Sequence, residues 1–336
     1  MNNAQGSAES SRAQNYEGDV DVPLAPVSGL DERRLLPREL FLRKPALFVK
    51  KFTFAALLIA GGWLAIAFAQ SWLVTALAMA VNGLMYAHLI ELQHECLHGH
   101  AFDSPSLNRL FGVVCGIFML SSHSHYRYDH LRHHAHLGTP RNKEHFDYRF
   151  QNLDSVLGFA RSVFDLSRFK RVARLTSLAL AWRPLPGIEK ASYDRDIKQE
   201  YLLNFVILST SVIVSLQSGS ALILLAWWLP VLLVSEGAHF LIEMPEHFGL
   251  NTQTDANVLT NTRTVRTSPL VSWFVNGNDI HTAHHYHQGV PMCNVSRLNR
   301  LIEPKLTVVE PSYKEFFRAV LAGKLRQHED ATCMKR

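Results

Sequence analysis

Residues 46–98 read ALFVKKFTFAALLIAGGWLAIAFAQSWLVTALAMAVNGLMYAHLIELQHECLH. The apolar part is about twice the roughly 20 residues that carry a helix across a bilayer. It is interrupted once, at Ala69, Gln70 and Ser71, so it divides into two spans joined by a short turn. No Lys or Arg occurs between Lys51 and Arg109, and the stretch ends on His94 and His98, four residues apart. A second apolar block, residues 201–242, breaks at Gln217, Ser218, Gly219 and Ser220, and no cation occurs between Lys198 and Arg263. These blocks predict an all-α integral membrane protein with four transmembrane helices in two hairpins, over about 46–68, 71–93, 201–217 and 220–242.

The composition fits once its segregation is seen. Hydrophobic residues make up 47% of the 336 and charged residues 19%, with the cations confined to the stretches outside the apolar blocks. Both short turns lack Lys and Arg, so the positive-inside rule puts both termini and both large polar regions in the cytoplasm. The net charge of +5 then reflects retained basic loops, and no nucleic-acid module is recognisable. Residues 1–44 read as a disordered or amphipathic cytoplasmic tail without a signal-peptide pattern. Residues 45–305 read as the membrane domain and 306–336 as a cytoplasmic C-terminal tail. Leu110 to Leu120 is too short to span, and residues 155–182 suggest an amphipathic surface helix or a buried cytoplasmic one. Cys96, Cys115, Cys293 and Cys333 show no framework spacing, which favours a reducing compartment.

The chemistry lies in three histidine clusters at the polar borders of these blocks: His94 and His98; His130, His133 and His134; His281, His284 and His285. On a helix, side chains at i, i+3 and i+4 share a face, so each cluster can direct several imidazoles to one place. Eight neutral imidazoles exceed what one tetrahedral zinc needs and suffice for two metals with positions left open. The orientation argument used no histidine, yet it puts all three clusters on the cytoplasmic side. Two simpler readings compete. His94-Glu95-Cys96-Leu97-His98 alone matches the HExxH pattern of zinc peptidases, with Glu95 as general base, but this leaves two HxxHH triplets unused. Metal transport would place ligands within the spans rather than beyond them.

The pattern HxxxH, HxxHH, HxxHH resembles the membrane fatty acid desaturase and hydroxylase superfamily, with bacterial acyl-lipid desaturases as the nearest likeness. The flanking text agrees: Gly138-Thr139-Pro140 follows the second box, Glu246-His247-Phe248-Gly249 precedes the third, and Asn278-Asp279 and Gly289-Val290-Pro291 bracket it. The resemblance implies a cytoplasmic helical cap carrying the boxes and two irons ligated by His94, His98, His130, His133, His134, His281, His284 and His285. It also implies a ninth ligand, for which His247 is the choice and His239 the runner-up; His88 follows. Nearby His100, His123, His125, His136, His145 and His287 are read as supporting or solvated. Glu91, Glu95, Asp129, Glu243 and Asp279 are placed to orient ligand rings or to pair with Arg127, Arg132 or Arg141, and Asn278 to reach a metal or its water.

With O₂ as co-substrate and electrons from outside, such a centre takes hydrogen from an unactivated C–H bond while the protein supplies ligands and excludes water. The resemblance points to desaturation of an acyl chain in a membrane, a bacterial inner membrane being expected. A hydroxylase or ketolase, or a tailoring enzyme for another metabolite, shares the same boxes. No fused cytochrome or nucleotide fingerprint appears, so a ferredoxin or cytochrome b5-type donor with its reductase is expected. Arg141, Lys143, Arg168, Lys170 and Arg171 are candidates to attract it.

Overall fold

The computed structural model describes residues 36–150 and 152–328, so the expectation for residues 1–35 and for Cys333 lies outside the described residues. Among the described residues, four helices are long and apolar enough to cross a membrane. Helix α1 (Pro45–Phe68) starts on a proline, whose missing N–H costs nothing in a first turn. Ser71 caps α2 (Trp72–Leu97) by accepting from the Leu73 N–H at 3.2 Å. After α3 (Pro105–Gly116), α4 (His123–His136), α5 (Val156–Val163) and α6 (Ser167–Leu180) comes α7 (Ala191–Ser218), which stops at Gly219 with φ +61°. That left-handed turn favours glycine. Helix α8 runs from Leu224 to His247.

Phe68, Trp72 and Leu216 are 76%, 80% and 77% exposed. Apolar side chains left bare to that degree suit lipid rather than water. Two helices run past the expected spans. Helix α2 continues from 93 to Leu97 with Glu91, Gln93, His94 and Glu95 all buried, and α7 begins ten residues early, at Ala191. Hydropathy marks where lipid ends; helix propensity and packing carried these helices further.

Helix α8 contains two wide π turns, Leu224–Trp228 and Val231–Ser235, on either side of Pro230. Proline has no N–H for the carbonyl four residues back, which here is Ala226. Two residues of α2 take the vacant role: Asn82 Nδ2 donates to Ala226 O at 3.1 Å and Tyr86 O–H donates at 2.7 Å. Asn82 is fully buried, and Gly62 of α1 leaves room for it, since a Cβ there would overlap Asn82 Oδ1. The break in α8 is therefore built into the packing of α1, α2 and α8.

The described residues that follow form α9 (Val258–Asn261), α10 (Pro269–Phe274), α11 (His281–Tyr286), α12 (Met292–Ile302) and α13 (Tyr313–Leu321), with a two-residue parallel pairing of β1 (Thr264–Val265) to β2 (Val309–Glu310). Residues 155–182 form two amphipathic helices instead of one, broken where Asp165 accepts from the Ser167 N–H at 2.8 Å. Their inner side buries Leu175 and Ala179 against Tyr128, Ile197 and Tyr201. Neither chain end is a free tail in its described part. Leu40 is fully buried against the cluster around Ile280 and Leu298, and Phe316 and Val320 of α13 enter the main core beside Phe248.

Candidate metal centre

Each histidine cluster is placed by a local feature. His94 lies in the last turn of α2 and His98 caps its end. Ser122 caps α4 by accepting from the His125 N–H at 3.1 Å, which starts the helix bearing His130, His133 and His134. His281, His284 and His285 occupy the six-residue α11, and His247 is the last residue of α8. The nine imidazoles form two groups: His94, His98, His130, His134 and His284; and His133, His247, His281 and His285. The two HxxHH segments divide in opposite senses. The second box gives its outer pair to the first group and its middle residue to the second group; the third box does the reverse.

Within each group the ring nitrogens face one another. Nε2 atoms are 2.8 Å apart for His94 and His130, 3.0 Å for His130 and His134, and 3.0 Å for His134 and His284. In the second group the spacing is 3.1 Å for His247 and His281 and 3.3 Å for His133 and His285. Two nitrogens bound at right angles to one ion through bonds of about 2.1 Å stand about 3.0 Å apart. Convergence of lone pairs at that spacing, with His98 Nε2 buried and without a hydrogen-bond partner, fits one ion in each group. The groups adjoin, as His134 stacks on His285 with centroids 4.0 Å apart.

Burial, reinforced by neighbouring imidazoles, holds His98, His130, His134, His281, His284 and His285 well below the ordinary histidine pKa. They are neutral at pH 7, the state a ligand needs. His133 goes the other way: burial disfavours its charge, but Glu144 and Asn142 together outweigh burial and raise it. The same contact fixes its tautomer. His133 Nδ1 lies 2.8 Å from both Asn142 Oδ1 and Glu144 Oε1, which leaves Nε2 to face the group. His247 is oriented in the same way, with Nδ1–H donating to Asn261 O at 2.9 Å.

Several residues that position the second group were not singled out from the sequence. Arg263, buried, donates from Nη1 to Pro245 O and from Nη2 to Phe248 O at 2.9 Å, gripping the backbone on either side of His247. Its Nε lies 3.4 Å from Glu310 Oε1 on β2. Burial pushes Arg263 down to about 10 against the pull of Glu310, so it remains a cation. Glu246 Oε2 lies 3.3 Å from His281 Nε2. One signal was available: Arg263 is the first cation after the long stretch that begins beyond Lys198.

The carboxylates expected to orient ligand rings are engaged elsewhere. Glu91 accepts from Asn278 Nδ2 at 2.7 Å and Glu95 from Asn276 Nδ2 at 2.9 Å; Asp279 is held by Thr267 and Ser272. Asn278 is thereby turned to Glu91. Asp129 lies between His145 Nδ1 at 2.9 Å and His125 Nε2 at 3.3 Å, apart from both groups. Glu243 is 4.0 Å from His239. His239 stands outside the groups, with Nδ1 2.8 Å from the Tyr148 hydroxyl, and His88 stacks on Trp273. Arg168 cannot serve an external partner, because it is buried and ion-paired with Glu236, with Nε 3.1 Å from Oε2. Arg141, Lys143 and Lys170 are exposed.

A profile of the fatty acid desaturase family matches residues 69–317. The chain is similar to the chloroplastic omega-3 fatty acid desaturase of Glycine max, 28% identical over 149 residues, 43% of this chain and 33% of that protein. It is also similar to the endoplasmic-reticulum acyl-lipid omega-3 desaturase (cytochrome b5) of Arabidopsis thaliana, 23% identical over 43% of this chain and 36% of that one. The chloroplastic sn-2 acyl-lipid omega-3 desaturase (ferredoxin) of the same plant is 25% identical over 51% and 38%. The chain thus covers 33% to 38% of the length of these three relatives.

Proposed function

The chain belongs to the fatty acid desaturase family, and from that membership we propose that it is an integral-membrane oxidoreductase that introduces a double bond into an acyl chain of a membrane lipid. The observation that carries this reading is the division of nine converging imidazoles into a group of five and a group of four. His94, His98, His130, His134 and His284 would hold one iron, and His133, His247, His281 and His285 the other. Bound there, the two irons supply O₂ activation and the oxidising power for C–H cleavage. The chain's own residues do the rest. Neutral imidazoles keep their lone pairs free, Glu144, Asn142 and Asn261 fix ring orientation, and burial of the site keeps bulk water away.

The reaction consumes O₂, two electrons and two protons, removes two hydrogens from adjacent carbons and releases two waters. The electrons are assigned to an external one-electron donor of the ferredoxin or cytochrome b5 type with its reductase; two of the relatives carry one or the other in their names. Exposed Arg141, Lys143 and Lys170 supply positive charge for an acidic donor. The proposed layout has two hairpins in an inner membrane, with both termini and the helical cap on the cytoplasmic side, as the charge asymmetry favours. The peptidase alternative is poorly served: Glu95 is tied to Asn276 and His94 sits among five imidazoles.

Two measurements test this reading. Metal analysis of purified protein should give about two irons per chain; stoichiometric zinc, with iron absent even after iron-supplemented expression, would sink it. Lipid profiling of an aerobic host with and without the protein should give products lighter by two hydrogens. A gain of one oxygen would move the assignment to hydroxylation.

A further inference from the structure

A cavity of about 790 Å³ opens beside α1, α10 and α12, away from the nine histidines. Its size is that of a small-molecule site. Its position marks the depth of lipid headgroups. On one side α10 buries none of its residues and leaves Leu270 74% exposed, while its Trp273 packs edge-on against Phe54 of α1 at 5.3 Å. Apolar residues bare to lipid, with a tryptophan among them, belong at the bilayer boundary. On the other side the walls carry Lys51, Arg266 and Arg300.

The charges of this cavity are largely uncommitted. Arg300 makes no ion pair among the described residues, and Arg266 meets only Glu303, at 3.6 Å, with both side chains well exposed. Asp279, the other carboxylate in the wall, has one oxygen taken by Thr267 and the other by Ser272, each at 2.9 Å. Deeper in, Thr264 is buried and its hydroxyl has no partner, and the side-chain oxygen of Asn299 also lacks one. Unpaired buried polar atoms are costly, and both residues belong to the wall that also carries the three cations.

We propose that this cavity binds the phosphate-bearing headgroup of a membrane phospholipid, with Arg266, Arg300 and Lys51 meeting the phosphate and Thr264 donating to it or to the ester oxygens. Lys51 extends the site inward: its Nζ donates to Asn276 Oδ1 at 2.6 Å, and Asn276 in turn donates to Glu95, next to His94. Binding of the lipid stands by itself. That the bound lipid is also the substrate, which makes the substrate class phospholipid rather than neutral glycolipid, rests on the desaturase reading.

The test uses the full chain in a neutral maltoside detergent, with retained lipid measured by native mass spectrometry. Dioctanoyl phosphatidic acid should be retained at roughly tenfold lower concentration than dioctanoylglycerol, and the paired substitutions Arg266→Gln and Arg300→Gln should erase that difference. Both arginines are at the surface, so unchanged metal content certifies the fold of the variant, and Thr264→Val should weaken retention by a smaller factor. Equal retention of the two lipids, or a preference untouched by the arginine substitutions, overturns the proposal. Displacement of the lipid by an equal concentration of inorganic phosphate would also overturn it, by making this a free-anion site. Bound phospholipid that is never oxidised would leave the site standing and count against the desaturase reading.

Discussion

The two imidazole groups are built from the same residue type at the same spacing, yet they are held by different means. The group of five draws on α2, α4 and α11 alone, and two of its pairs, His94 with His98 and His130 with His134, are one helical turn apart. The group of four depends on His247, the last residue of a helix with Pro245 inside it. That residue stays in place because Asn261 holds its ring and Arg263 grips the carbonyls at 245 and 248. Helical register sets those two pairs and also His281 with His285 in the group of four; what sets the second group apart is that its His247 is held by a tether from distant residues. The second should therefore be the easier to lose.

The harshest test of that contrast is His284→Ala, which removes a ligand from the group of five. Turnover should fall to background while membrane insertion is retained; residual turnover would mean the ligands are misassigned. Arg263→Ala should act on one group only. It leaves the half-buried Glu310 without its cation and the carbonyls of Pro245 and Phe248 without their donor, and iron should fall from about two to about one per chain. Loss of both metals together would erase the distinction between the groups. Glu144→Gln keeps the shape beside His133 but removes the charge, so metal affinity at the group of four should drop by about 10–100-fold. No change would make Asn142 the sole orienter. The mildest is Gly62→Ala, far from both groups. It crowds Asn82, should cost about 1–3 kcal/mol in thermal unfolding, and should leave iron content alone.

The same contrast explains what could be read from the chain. The four spans are legible because lipid demands long apolar runs, and the histidines because a helical turn brings i and i+4 together. His247 is the one member of either group outside the boxes, and it was chosen through a likeness rather than by spacing. The assignment of each HxxHH residue to a group was not legible. It depends on how α11 approaches α4, a contact between segments about 150 residues apart in sequence whose distances alone reveal it. Carboxylate roles were misjudged for the same reason. Glu91 and Glu95 are close to the boxes along the chain, yet they serve Asn278 and Asn276, whereas Glu144 reaches His133 by way of a loop.

The pairing of β1 with β2 has a consequence for how far along the chain the site reaches. All nine histidines have been synthesised by residue 285, but the partner of Arg263 sits at Glu310, and Phe316 behind it packs over the guanidinium at 4.9 Å. Until those later residues are in place, Arg263 has its grip on the carbonyls at 245 and 248 but not the carboxylate and the ring that brace it. The group of five calls on nothing beyond His284; the brace of the group of four calls on Glu310 and Phe316 too. The two groups thus differ in reach along the chain: one closes within residues 94–284, the other is braced from residues 310 and 316 as well.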